Sequence, residues 1–235
     1  MLEQDAAPRR KKLLTGTRGW DYDDWVGVYY PEELPEEWRL AYYCNDHRSV
    51  LVPVDHWALS PAEAIAALIE EIDPGFSVVL ELPEAGLSGT GLDAEGLLDL
   101  LSPMESQLRA LSWRPAADDF SVQALDDAAC LADALPLVLD YDDGHPQKEM
   151  LDALRAATGA SRLWRPREED TPVAAGQFLL ALVSQPDLVF LRGILEQMAG
   201  RLAGDRSGGL FLEPAPDAPQ FAEKCRILAE LMEIQ

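Results

Sequence analysis

The chain has 235 residues, of which 48% are hydrophobic and 26% charged, an ordinary composition for a water-soluble globular fold. No apolar run is long enough to cross a membrane, and no apolar segment follows the basic stretch at 9–12, so neither a membrane span nor a secretory leader is expected. Asp and Glu total 42 against 19 Lys and Arg, a net charge of −23 that repels nucleic acid and anionic lipid surfaces. Cys44, Cys130 and Cys225 are far apart and show no CxxC spacing. Reduced thiols, a cytoplasmic location and no thiolate zinc site are therefore expected.

Residues 1–12 read as a flexible basic tail. Short apolar runs then recur at 13–15, 49–54, 76–80, 109–113, 136–141, 161–164, 187–191 and 209–212. They show little alternation, as expected of parallel strands covered on both faces. Pro53 costs the second of them a ladder hydrogen bond, which predicts a short or bulged strand. Helical patterns lie between the runs, over 61–72, 93–101, 121–135, 146–157, 172–183, 194–202 and 218–234. Ser60, Pro61 and Glu63 have the spacing of a capping box, and Asp93 stands as a cap before its helix. Strand and helix in alternation predict an α/β fold, and eight strands predict a single closed (β/α)8 barrel over 13–235. No glycine-rich phosphate loop follows any strand, which removes the commonest reason to prefer an open nucleotide-binding sheet.

The segment 16–31 reads GTRGWDYDDWVGVYYP, followed by Leu34-Pro35 and Tyr42-Tyr43. Its glycines, tryptophans and Tyr-Pro pair at this spacing resemble the opening of the YecE-like family, domain of unknown function 72. Residues 217–222, DAPQFA, are similar to the start of that family's last helix. The resemblance implies a TIM barrel and supplies no activity. It also implies a changed mouth. The family's second strand carries an acid and an amide where Val50-Leu51-Val52-Pro53 stand here. Its third strand ends in a lysine where Glu81 stands. In Asp140-Tyr141-Asp142-Asp143 the family's acid survives as Asp140 while its arginine becomes Asp142, and Trp113-Arg114-Pro115, Phe190-Leu191-Arg192-Gly193 and Leu212-Glu213-Pro214 replace further polar sets.

At the C-terminal ends of barrel strands, polar residues read as site candidates. The first set is Glu81, Asp140, Asp142, Asp143 and Glu213, with Arg192 as the nearby cation. Clustered carboxylates serve acid–base chemistry or hold a hard divalent cation, whereas solvated loop acids and structural ion pairs are the plainer reading. His56, beside Asp55, is a candidate base; packing against Trp57 is the plainer reading. Trp20, Tyr22 and Trp25, with Trp57 and Trp113, would stack a sugar or base if they lined the mouth; otherwise they are core that closes the barrel end. Arg18 and Arg192 are candidates for an anionic ligand group. Catalytic roles thus fall on Asp140, Glu81, His56 and Glu213, and ligand-binding roles on Arg18, Trp20, Tyr22, Trp25 and Arg192.

Two functions follow. One is a binding or scaffold role in a barrel whose family-type site is substituted. The other is an enzyme acting on a small polar or anionic, sugar- or phosphate-type substrate. An open polar mouth favours the second, and a mouth filled by Trp57, Trp113 and Phe190 favours the first.

Overall fold

The computed structural model describes residues 13–117, 121–166, 176–184, 186–202 and 205–234, so the basic segment 1–12 lies outside the described residues. Eight parallel strands form one sheet: β1 (Leu13–Arg18), β2 (Ser49–Val52), β3 (Ser77–Leu82), β4 (Leu108–Trp113), β5 (Leu137–Leu139), β6 (Ser161–Arg162), β7 (Phe178–Val183) and β8 (Ser207–Leu212). Their order is β6-β5-β4-β3-β2-β1-β8-β7, and β1 pairs in parallel with both β2 and β8. The remaining seam closes through one residue. Trp164 N donates to Leu180 O at 2.9 Å, and Leu182 N donates to Trp164 O at 2.9 Å. The protein is thus a nearly closed (β/α)8 barrel.

Seven α-helices are described: α1 (Arg39–Asp46), α2 (Pro61–Glu71), α3 (Ala94–Leu101), α4 (Val122–Ala134), α5 (Lys148–Thr158), α6 (Leu188–Ala199) and α7 (Ala218–Leu231). Strand periodicity splits the buried side chains into two cores, because successive residues point to opposite faces. Leu14, Leu51, Val79, Ala110, Val138, Leu163, Phe178, Leu180, Leu182 and Phe211 fill the barrel interior. Leu13, Val50, Val52, Val78 and Leu80 face outward and pack with helix residues such as Ile65, Leu97 and Leu131. Full burial of each large aliphatic side chain contributes roughly 1.5–3 kcal/mol, so both layers hold the barrel together.

The seventh strand corrects the sequence reading. Residues 187–191 are not a strand: Asp187 caps α6 by accepting from Phe190 N at 2.9 Å, and the apolar run is that helix's first turns. The strand is Phe178–Val183, placed by the sequence reading in a helix over 172–183, whose residues 172–175 lie outside the described set. All six of its residues are buried, so no alternation marked it as a strand. Pro53 does end β2 early, and a short 3-10 turn, Val54–His56, follows. Asp93 caps α3 through Gly96 N at 2.8 Å, but Ser60 makes no capping hydrogen bond at α2.

β1 and its following loop depend on two glycines. At Gly16 a Cβ would meet Ser49 O at 2.1 Å, so no larger residue lets β1 and β2 approach this closely. Gly19 has φ of 73°, in the left-handed region that favours glycine, and hydrogen-bonds Leu51 O at 2.8 Å. The aromatics beyond it are tied down. Tyr22 Oη donates to Arg18 O at 2.7 Å, Tyr30 Oη to Trp20 O at 2.6 Å, and Trp25 Nε1 to Ala215 O at 2.7 Å. Trp25 is fully buried in the helix-side core, so it anchors the loop after β1 to the loop after β8.

Candidate functional site

The C-terminal ends of the strands surround an open cavity of about 390 Å3. Ligand cavities fall in this size range, and barrels of this type bind their ligands at this end. Each strand end supplies a wall residue. Arg18 comes from the last position of β1 and Glu81 from β3. Asp140 follows β5, Arg165 follows β6, and Glu213 follows β8. Asp55, Glu84 and Arg114 complete the charged lining, while Leu51, Leu163 and Leu182 reach it from the interior core.

Two guanidinium centres organise these charges. Arg18 Nε and Nη2 donate to the two carboxylate oxygens of Glu81, both at 2.7 Å. This bidentate geometry is the strong form of the pair. The side chains are 29% and 15% exposed. Burial pushes the Glu81 carboxyl up from its ordinary value, and Arg18 pulls it back only in part. Arg18 is held more firmly protonated, first by its hydrogen bond to Glu81.

Arg165 is the second centre. Its Nη2 donates to Asp140 Oδ2 at 2.6 Å, and its Nη1 to Glu213 Oε1 at 3.0 Å. One cation therefore bridges acids that follow two different strands, β5 and β8. Burial pulls the Arg165 guanidinium down, but the bonds to Asp140 and Glu213 outweigh burial and hold it charged. Arg114 has no ion pair among the described residues, so it is the mouth's one unpaired cation in that set.

Of the residues singled out from sequence, Glu81, Asp140, Glu213 and Arg18 meet in this cavity. Others do not. Arg192 lies on α6, where Nε donates to Glu196 one turn on at 2.9 Å, because the stretch before it is helix rather than strand. Asp143 pairs with Arg162 at 3.1 Å, and Asp142 accepts from Gly144 N at 2.8 Å in a tight turn. Among the described residues no aromatic lines the cavity. Trp57 and Trp113 are buried beside it and donate to Glu81 O at 2.9 Å and Pro83 O at 3.0 Å. Trp20, Tyr22 and Trp25 lie outside the lining.

His56 also stands outside the lining, although its neighbour Asp55 is part of it. The His56 ring packs on Trp20 with centroids 4.5 Å apart, and neither of its buried nitrogens has a hydrogen-bond partner. Burial holds its pKa below the ordinary value. Arg165 was missed in the sequence because β6 has only two residues. The signal was its position just past Leu163-Trp164, where the chain leaves the barrel wall.

Cation chemistry is constrained by this pairing. Among the described residues no group of three or more His, Cys, Asp and Glu side chains has an arrangement that would hold a metal ion. The three best-placed acids each face a guanidinium instead. No described helix is long and apolar enough to cross a membrane.

Comparison with known proteins agrees with this architecture. No curated protein matches the sequence. A DUF72 family protein of Thermotoga maritima superposes with a TM-score of 0.66 at 14% identity, over 94% of this chain and 99% of its own. A DUF72 family protein of Enterococcus faecalis superposes with a TM-score of 0.63 at 12% identity, over 96% of this chain and 99% of its own. At these identities the likeness speaks for the fold alone. The family model "Protein of unknown function DUF72" matches residues 14–140, more than half of the chain. The protein therefore belongs to the DUF72 family.

Proposed function

We propose that the barrel mouth binds a small, hydroxyl-rich, uncharged molecule of the sugar or polyol class. The observation that carries this reading is the open cavity of about 390 Å3 in which Arg18 and Glu81, and Arg165 with Asp140 and Glu213, are already paired with one another. Fixed guanidinium donors alternate with fixed carboxylate acceptors, which is the surface a polyol needs. An anion is less well served. The lining holds five carboxylates against three guanidiniums, and Arg165 spends all three of its nitrogens on Asp140 and Glu213. The chain's charge of −23 repels anions further.

A second reading is chemical turnover of the same ligand. It is favoured by Glu81, a carboxyl whose pKa is raised by burial inside a ligand-sized cavity. Such a group is suited to donate a proton to a leaving oxygen. The pairing with Arg18 favours a structural carboxylate instead, so binding is the primary reading.

A thermal-shift screen over neutral sugars, polyols, sugar phosphates and divalent metal salts tests the proposal. A ligand at about 100 times its dissociation constant adds roughly 2.7 kcal/mol. In a chain of this length that raises the midpoint by about 5–10 °C. The expected result is a rise with a neutral hydroxylated compound that is absent in Glu213→Ala. A rise only with phosphates or metals, or none at all, contradicts it.

A further inference from the structure

A second cavity, of about 700 Å3, opens on the flank of the barrel between the C-terminal end of α1 and the first turns of α7. It lies outside the ring of strand ends that builds the mouth, and the two linings share no residue. Its chemistry differs in two independent ways.

First, hydrogen-bonding groups are left unused around it. Three residues of the lining carry a buried polar atom without a partner: Tyr29 Oη, His47 Nε2 and Gln220 Oε1. Buried polar groups in folded proteins are nearly always satisfied, so three around one cavity mark a place for a bound molecule. His47 is only 2% exposed and stacks on Tyr43 with centroids 4.3 Å apart, so its ring is fixed.

Second, two cations of the lining go unpaired in an acidic protein. Arg48 donates to Cys44 O at 2.9 Å, and Lys224 Nζ sits 4.6 Å over the Phe221 ring; neither has a carboxylate partner among the described residues. Of the two acids in the lining, Glu223 is held bidentately by Arg226 at 2.8 and 2.6 Å. Asp46 is the other.

We infer that this flank cavity binds a phosphate group, free or carried on a small organic molecule. Phosphate oxygens accept from Arg48 and Lys224. They also accept from His47 in the tautomer that places its proton on Nε2. A phosphate hydroxyl or a sugar hydroxyl donates to Gln220 Oε1. The volume exceeds that of a bare ion, which favours the carried form.

Calorimetric titration of the full chain with inorganic phosphate, glucose 6-phosphate and adenosine monophosphate tests the inference. The expected result is saturable binding of at least one of them. Whether the free ion or an ester binds more tightly identifies the source. Arg48→Ala and Lys224→Ala, both at exposed side chains, should each weaken binding about tenfold with the melting midpoint unchanged. Glu213→Ala, a mouth variant, should leave this binding intact. No saturable heat with any of the three compounds overturns the inference. Binding that survives in the Arg48→Ala/Lys224→Ala double variant, or that disappears in Glu213→Ala, overturns it too. A failure here leaves the mouth proposal standing, because the two tests use different variants and different compounds.

Discussion

The mouth and the flank cavity handle polar groups in opposite ways. At the mouth, Arg18 is clamped to Glu81 and Arg165 bridges Asp140 and Glu213, so most of the charge is spent inside the protein. At the flank, Arg48 and Lys224 have no carboxylate partners among the described residues, and Tyr29, His47 and Gln220 keep polar atoms unused. The mouth charges thus shape a cavity and stabilise the strand ends that carry them, whereas the flank charges do little for the fold. Removing charge should therefore unsettle the first region and barely touch the stability of the second.

The largest expected effect is a pH dependence at the flank's one deeply buried imidazole. Burial pulls the His47 pKa from 6.5 to about 4, against the opposing fields of Asp46 and Glu223 and with a small push from Arg226. The unfolded chain takes up that proton first as pH falls, so stability from this group is complete above pH 6.5 and is lost towards pH 4. The loss is about 3 kcal/mol across that window. Denaturant titrations at a series of pH values should show this slope in the native chain and a flatter one in His47→Gln. Equal slopes would mean that other groups carry the acid sensitivity.

Next in size is the Arg18–Glu81 pair. Arg18→Met leaves a largely buried carboxylate without its cation and should cost about 2–3 kcal/mol, a fall of roughly 5–10 °C in melting midpoint. Lowering the pH should recover part of the loss, because protonation relieves the stranded Glu81. Arg165→Met is expected to cost less, about 1 kcal/mol, since that guanidinium is 42% exposed. It should nonetheless abolish sugar binding, because Asp140 and Glu213 lose their common anchor. The smallest effect is Arg48→Ala at the flank, within about 0.5 kcal/mol of the native chain. An Arg48 variant as unstable as the Arg18 variant would erase the contrast between the two regions.

The barrel was legible in the sequence where short apolar runs were bounded by turn residues, as at β2, β3 and β8. It was misread at β7, for a physical reason. A strand covered on both faces by Phe178, Leu180, Leu182 and their neighbours has no alternation to reveal it. The run after Asp187 has equal hydrophobicity, and there the aspartate side chain capped a helix. Arg192 moved from the mouth to a helix surface with that error. Glu81, Asp140 and Glu213 were readable as mouth residues because each stands at the end of a recognisable strand. Their partners were not readable, since the Arg165 bridge depends on closure of the barrel bringing the ends of β5, β6 and β8 to one cavity. The flank cavity left no local pattern, because its lining comes from two helices and a loop far apart in the chain.

The most direct test of the mouth as a site for an uncharged hydroxylated ligand is saturation-transfer NMR. The full chain would be mixed with a pool of neutral pentoses, hexoses and polyols and with the matching sugar phosphates. The expected result is transfer to one or more neutral compounds, lost in Glu213→Ala and kept in Arg48→Ala. Transfer to none of the neutral compounds, or transfer that persists undiminished in Glu213→Ala, would contradict it.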